Sequence, residues 1–287
     1  MKLGHLAAVL AATGAIVAAQ QLPSEPQRDF GTSVTGAFEG WYENPDGSRT
    51  FLVGYLNRNA TQTLDVPIGP NNRIEPGGPD LGQPTHFLPG RVHGVFIVTV
   101  PREFTAEQRL TWTLVANGVT TSIPLRLQPD YVVSPFTDVA VKNTPPVVRL
   151  EENGKPTQGP VGMLASAVAR TASVGTPLSL TVFASDDARY ASGTMALPPK
   201  PPPPVRLSWA KYRGPGAVAF EPAEPPMETL AGGGINVPFS GKATARARFS
   251  EPGEYVLHLT AMDYSGEGGG GEVCCWTTAM VKVSVAP

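Results

Sequence analysis

Three carboxylates, Asp186, Asp187 and Asp263, are the residues whose type and position point most directly to chemistry. A pair of acids ending one segment and a third ending another could hold Ca²⁺, which takes carboxylate and carbonyl oxygens in flexible arrays. The competing reading is solvated loop charge, with Glu267 and Glu272 further on adding to it. Calcium is the one cofactor the sequence suggests. His86 and His93 are a second candidate, because the Pro/Gly-rich segment from 67 to 90 also carries Glu75 and Asp80, and loops hold ligand-binding residues more often than strands do. Their His-x6-His spacing matches no familiar metal motif. Trp41 and Tyr42, adjacent and read as exposed, could stack on a sugar; the ordinary alternative places them in a core or at a sheet edge.

Cys274 and Cys275 are the only cysteines. An oxidising compartment favours a bridge between them. Neighbours on an extended strand point to opposite faces, however, so a vicinal bridge needs a distorted backbone; one buried and one exposed thiol is the other arrangement. Cys275-x4-Met280 approaches a blue-copper spacing, but no histidine lies between the two, and His258 is expected to face outward.

These residues hang on strands. Tyr255, Leu257, Leu259 and Ala261 alternate with Val256, His258, Thr260 and Met262 after the Pro252-Gly253 turn, a clear half-buried strand. Leu178–Ala184, Val205–Lys211, Ala243–Phe249 and Val281–Val285 supply further strands of the same kind. Strand direction then places Asp186 and Asp187 at the same pole as Asp263, beside a glycine-rich loop at Gly266–Gly271 and on the same side as the stiff proline tract Pro198–Pro204, read as a polyproline strut. Upstream, Val34–Leu127 breaks into short alternating or apolar runs; Glu43–Ser48 joins two of them, Asn117-Gly118 is a hairpin turn, and Gly94–Val100 reads as a central strand buried on both faces. No useful helical periodicity appears after the leader. The expected class is all-β, two β-sandwich domains: leader 1–19, an extension 20–33, a sandwich over 34–130, a linker over 131–146 and a second sandwich over 147–287.

Leu207-Ser208-Trp209, Gly214-Pro215-Gly216-Ala217-Val218, Ala245–Asp263 and Val281–Val285 resemble the polycystic-kidney-disease (PKD) and related immunoglobulin-like modules of secreted bacterial proteins. The resemblance covers the last 110 to 140 residues or so and implies an immunoglobulin-like sandwich used as a spacer or binding unit. Trp209 then takes the core tryptophan position and Tyr255 the tyrosine corner, while Leu180 or Val182 and Leu257 stand where the inter-sheet disulfide would be. Gly36–Tyr42 and Pro84–Pro89 resemble segments of secreted bacterial proteins without an assigned activity, so no activity follows for the first half.

Nothing in the chain assembles a nucleophile, base and orienter: there is no Gly-x-Ser-x-Gly, no His-Glu-x-x-His and no Gly-rich phosphate loop. The two acids of a glycoside hydrolase meet only in the fold. The sequence is therefore read as a secreted, non-catalytic binding or structural protein of the bacterial envelope or exterior, with a surface polymer or protein as partner. A polysaccharide-active enzyme, or its accessory carbohydrate-binding protein, is the alternative. A formal charge of −2 over 287 residues leaves no electrostatic footprint for nucleic acid. Lys2 and the apolar run Leu3–Ala19, ending Val17-Ala18-Ala19, read as a secretory leader with no cysteine behind it for a lipid anchor, so the mature chain is expected to be secreted or periplasmic and without a transmembrane segment. Mass spectrometry of the exported protein should find its N-terminus near Gln20; retention of Met1–Ala19 would refute the leader.

Overall fold

The computed structural model describes residues 28–138, 142–189, 203–265 and 274–287. The leader, most of the proline tract and Gly266–Gly271 lie outside them. Among the described residues the fold is all-β, with two 3₁₀ turns and no α-helix.

In the N-terminal half, β1 (Val34–Glu43), β2 (Arg49–Asn57), β3 (Leu64–Asp65), β4 (Asn72–Glu75), β5 (His86–Phe87), β6 (Gly90–Val100), β7 (Leu110–Ala116) and β8 (Val119–Leu125) follow one another. Two antiparallel sheets, ordered β1-β2-β6 and β4-β7-β8, face each other, and β3-β5 forms a short pair beside them. Both expected hairpins are present. At β7–β8, Asn117 and Gly118 have φ of 49° and 76°, the two left-handed positions that a two-residue turn matching the sheet twist demands. Trp112, Phe51, Phe87 and Phe96 are fully buried between the sheets. The 67–90 segment is not a bare loop, since it contributes β4 and β5. Gly94–Val100 lies in β6, which pairs only with β2 and so is not central. Val95 and Phe96 are nonetheless both buried, because the C-terminal half covers the face that a solvated sheet would expose.

The C-terminal half comprises β9 (Val147–Arg149), β10 (Thr157–Gln158), β11 (Val168–Ser173), β12 (Leu178–Asp186), β13 (Arg206–Arg213), β14 (Val218–Glu221), β15 (Glu228–Ala231), β16 (Phe239–Phe249), β17 (Gly253–Met262) and β18 (Trp276–Ala286). One sheet runs β10-β9-β12-β16-β14, with β15 also on β16; the other runs β11-β18-β17-β13, with β11 parallel to β18 and the rest antiparallel. Inward alternation is clean in β16: Gly241, Ala243, Ala245, Ala247 and Phe249 are buried, while Thr244 and Arg246 are exposed. These small side chains face a core containing Trp209, Leu257, Leu259 and Val283. Trp209 stacks on Phe220 at 6.4 Å. Tyr255 accepts from Gly216 N at 3.0 Å and donates to the Glu251 carbonyl at 2.8 Å, tying the start of β17 to the turn after β13. Gly214, at φ 144°, lies against that ring, and a Cβ there would come within 2.1 Å of it.

The two halves pack face to face. Tyr212, Val256 and Met280, from the outer side of the β13-β17-β18 sheet, belong to the N-terminal core cluster. Polar contacts fix the arrangement: Arg213 reaches both oxygens of Asp80 at 2.9 and 2.8 Å, Lys211 Nζ lies 3.0 Å from Asp65, and Tyr212 donates to the Gly82 carbonyl. The Arg213 hydrogen bonds hold Asp80 below the usual carboxylate range despite partial burial.

Trp209→Ala deletes a 3%-exposed aromatic from the second core and should cost about 3–5 kcal/mol. Chemical denaturation reads this as a large fall in midpoint with little change in slope. A loss below about 1 kcal/mol would show that the surrounding side chains close the cavity.

Candidate functional site

The most concentrated polar cluster sits where β12 and β17 end. Asp186 closes β12, Asp263 follows β17, and Asp187 and Asn143 lie alongside them. Asn143 falls in the segment assigned to the linker, yet it is 2% exposed and donates through Nδ2 to Asp263 Oδ2 at 2.6 Å. The other Asp263 oxygen accepts from the Ser265 amide at 2.8 Å and its hydroxyl at 2.6 Å. Asp186 Oδ1 accepts from the Ala188 amide at 2.7 Å, closing a local turn, and Thr144 donates to Asp187 at 3.1 Å.

Two atoms of this cluster lack partners. Asp186 Oδ2 and Asn143 Oδ1 are buried without a hydrogen bond, a costly condition for a carboxylate and an amide. Burial pushes the Asp186 carboxyl up to about 7; the Ala188 amide opposes the rise, and the charges of Asp263 and Asp187 add to it. Asp263 is raised too, chiefly by burial, against the hydrogen bonds from Ser265 and Asn143. The coupling of all three acids means that the structure brings Asp186, Asp187 and Asp263 together. No group of three or more His, Cys, Asp and Glu among the described residues is arranged to hold a metal ion. The oxygens gathered here are those of carboxylates and of the Asn143 amide.

Cys274 and Cys275 form the floor of this pole. They are bonded to each other across a cis peptide, both buried. Their sulfurs lie 3.9 and 3.5 Å from the Asn143 carbonyl. The Cys275 amide donates to Ser265 Oγ at 2.9 Å, so the bridge and the acids share one hydroxyl.

The remaining candidates are dispersed. His86 Nδ1 bonds to Asp65 at 2.8 Å, and the two residues are cross-strand partners in β3 and β5. Burial holds the His86 imidazole below its ordinary value, with the Lys211 cation adding to the effect and Asp65 opposing it. Burial raises Asp65, but hydrogen bonds from His86 and Lys211 outweigh that and leave it lowered. His93 engages a different acid, Glu39, at 3.3 Å, so the two histidines serve separate networks. Tyr42 takes the core alternative rather than the exposed, sugar-stacking one: it is 5% exposed and donates to the Pro160 carbonyl at 2.9 Å. Trp41 is half-buried, with its indole NH on the Gln128 carbonyl at 2.8 Å. The chain on either side of residue 136 folds over both rings: Phe136 packs edge-on against Tyr42, and Val133 N reaches the Trp41 carbonyl. His258, expected to face outward, does point away from its own core but is 7% exposed, because the N-terminal half covers that face. Burial lowers its imidazole to about 4, opposed by the Val95 backbone. Alternation along β17 could not disclose that cover.

The chain is similar to the crystal structure of the S-layer protein SbsC domains 4 and 5, which aligns over 89% of this chain and 98% of that one, at 10% identity and a TM-score of 0.22. No family model and no curated protein matches the chain. No helix among the described residues is long and apolar enough to cross a membrane.

Asp186 gives a signed pH dependence. Its folded value lies above the unfolded one near 3.8, so the fold disfavours the carboxylate. This contribution is absent below about pH 4, grows as pH rises towards 7 and is constant above it, reaching a few kcal/mol in order of magnitude. In metal-free buffer Asp186→Asn should therefore stabilise the protein more at pH 8 than at pH 5. A stability difference independent of pH, read from denaturation midpoints, would mean that Asp186 ionises freely.

Proposed function

We propose that this is a secreted, non-catalytic binding or structural protein of the bacterial exterior, whose C-terminal half is an immunoglobulin/PKD-like module with a calcium-stabilised loop pole. Several features support the module assignment. The strand neighbours β9-β12-β16-β14 against β18-β17-β13 follow the immunoglobulin two-sheet pattern. Trp209 fills the core of the strand expected to hold it, and Tyr255 makes the corner hydrogen bond back to residue 251. Export is supported by the leader-like run Leu3–Ala19 and by the Cys274–Cys275 bridge, which an oxidising compartment maintains. The expected partner is a surface polymer or another protein, met by loops that a rigid double sandwich presents.

The observation that carries the calcium reading is the pair of buried, unpartnered oxygens, Asp186 Oδ2 and Asn143 Oδ1, beside the Asp263 carboxylate. A divalent cation seated between them would give each oxygen a partner and offset the burial, and the smaller like-charge repulsion, that raise Asp186 and Asp263. Asp187 is the further acid within electrostatic reach of both. Calcium would supply local charge neutralisation and crosslink the ends of β12 and β17 to the chain entering β9.

Calorimetry of the mature protein in millimolar calcium and in chelator tests this reading. A ligand that binds only the folded state stabilises it by about 2.7 kcal/mol at a hundredfold excess over its dissociation constant, so melting should rise by several degrees with calcium. Asp263→Asn should remove most of that rise. Superimposable melting curves would reduce the acids to solvated loop charge.

A further inference from the structure

The side of the C-terminal sandwich where β9 and β10 approach β11 holds a recess of about 300 Å³. Its origin lies in how β18 is covered. From Val281 to Ala286 that strand pairs in parallel with β11, residues Val168 to Ser173. Nearer its start, Gly159 takes over: its amide donates to Thr277 Oγ1 at 2.8 Å, and its carbonyl accepts from the Thr278 amide at 3.4 Å. Ala279 and Met280 fall between these two attachments, and both line the recess.

Neighbouring residues of a strand point to opposite faces, and these two serve different cores: Ala279 belongs to the C-terminal cluster and Met280 to the N-terminal one. A recess lined by both therefore runs past the edge of β18 instead of lying on one face of it, a course that suits a chain better than a compact ring. Val148 and Leu150, two residues apart and so on one face, supply the wall from the other sheet, with half-buried Val161 and Val168 beside them. No aromatic side chain is among the described residues of the lining. A flat ring finds nothing to stack on, whereas an alkyl chain meets apolar side chains along its length.

Two charged residues line the recess, Glu151 and Lys155. The Glu151 carboxylate is already paired with Arg170 at 2.8 Å. Lys155 is exposed and makes no hydrogen bond or ion pair with any described residue. The charge left for a ligand is thus an ammonium, which complements an anionic head group. An exposed ion pair adds little affinity, so burial of the chain supplies the binding and Lys155 selects the sign of the head.

We propose that this recess binds one unbranched alkyl chain ending in a carboxylate, the class of medium-chain fatty acids, with the chain along Val148, Ala279 and Met280 and the head group at Lys155. Small-molecule sites combine such a mostly apolar lining with a few polar groups, and their volumes run from about 300 to about 1,000 Å³. This recess lies at the small end, so it holds a single chain and not a two-chain lipid. It shares no residue with the acidic pole and does not rest on calcium.

The test is titration calorimetry of the mature full chain, in chelator, with hexanoate, octanoate and decanoate, and with octan-1-ol and octylammonium as neutral and cationic probes. Decanoate should bind saturably at one per chain, and affinity should rise about fourfold per methylene along the series, as burial of each predicts. Octanoate should bind about threefold tighter than octan-1-ol, and octylammonium more weakly than either. Lys155→Met, at an exposed position, should abolish the preference for octanoate over octan-1-ol at unchanged melting temperature, and Lys155→Arg should keep it. Val161→Trp, which fills the recess, should abolish binding of all the probes, whereas Asp263→Asn should leave it intact. No saturable binding of decanoate, an affinity flat along the series, octylammonium bound as tightly as octanoate, or an unchanged carboxylate preference in Lys155→Met would each overturn the assignment, whether or not Val161→Trp folds.

Discussion

Burial of β17 on both faces is the constraint on which the rest of the structure depends. Tyr255, Leu257, Leu259 and Ala261 fill the C-terminal sandwich, while Val256, His258 and Met262 are covered by the N-terminal one. An antiparallel sheet normally leaves one face to water; here that face is an interface. A strand shared in this way cannot slip by one residue without exchanging the contents of two cores, so its register is fixed twice over. The same burial sets the chemistry of the groups it carries. Burial under the other half, where its ring lies 5.8 Å from that of Tyr212, lowers the His258 imidazole to about 4 and so favours its neutral form.

Interface polarity follows the same logic. Lys211 and Arg213 extend from β13, next to β17, and meet Asp65 and Asp80 in the segment that the proline- and glycine-rich stretch supplies. Isolated surface ion pairs contribute little. Arg213, however, engages both Asp80 oxygens and the Gln83 carbonyl, at 3.0 Å from Nε, and such a bidentate geometry orients as well as attracts. Apolar burial holds the halves together, and these fixed forks set their orientation.

Much of the architecture was legible in the residues. Alternation located β12, β13, β16, β17 and the last part of β18, and strand direction alone put Asp186, Asp187 and Asp263 at one pole, because the pattern of a half-buried strand is written in its own side chains. The strands it missed in the C-terminal half, β9, β10, β11, β14 and β15, are two to six residues long, too short for periodicity to stand out. The other failures share a cause. Tyr42 and Trp41 could be read from local sequence either as surface or as core and edge groups, and His258 as outward-facing, because the chain that covers them is far away in sequence: the segment around Phe136 for the first two and β6 for the third. Asn143 was hidden because an Asn-Thr-Pro-Pro stretch has the composition of a linker, and only the fold reveals its amide seated on Asp263.

A cleft between the halves, lined by Leu88, Val92, Thr260 and Met262 among others, and the acidic pole hang on the same strand. Met262 lines the cleft, and the next residue, Asp263, enters the acidic pole. Across the strand pair, Trp276 and Cys275 repeat that adjacency: the indole borders the cleft, and the cysteine amide holds Ser265, which in turn holds Asp263. A single peptide step thus separates a partly apolar recess, whose Arg91 is paired with Glu39, from a cluster of buried acids. That step is possible because β17 and β18 leave the double-sided core together. While both faces of the strand are covered the side chains must be apolar or neutral, and where the cover ends the chain can afford carboxylates at the cost of partial desolvation. The boundary between the halves therefore decides where β17 passes from apolar and neutral side chains to the buried carboxylate of Asp263.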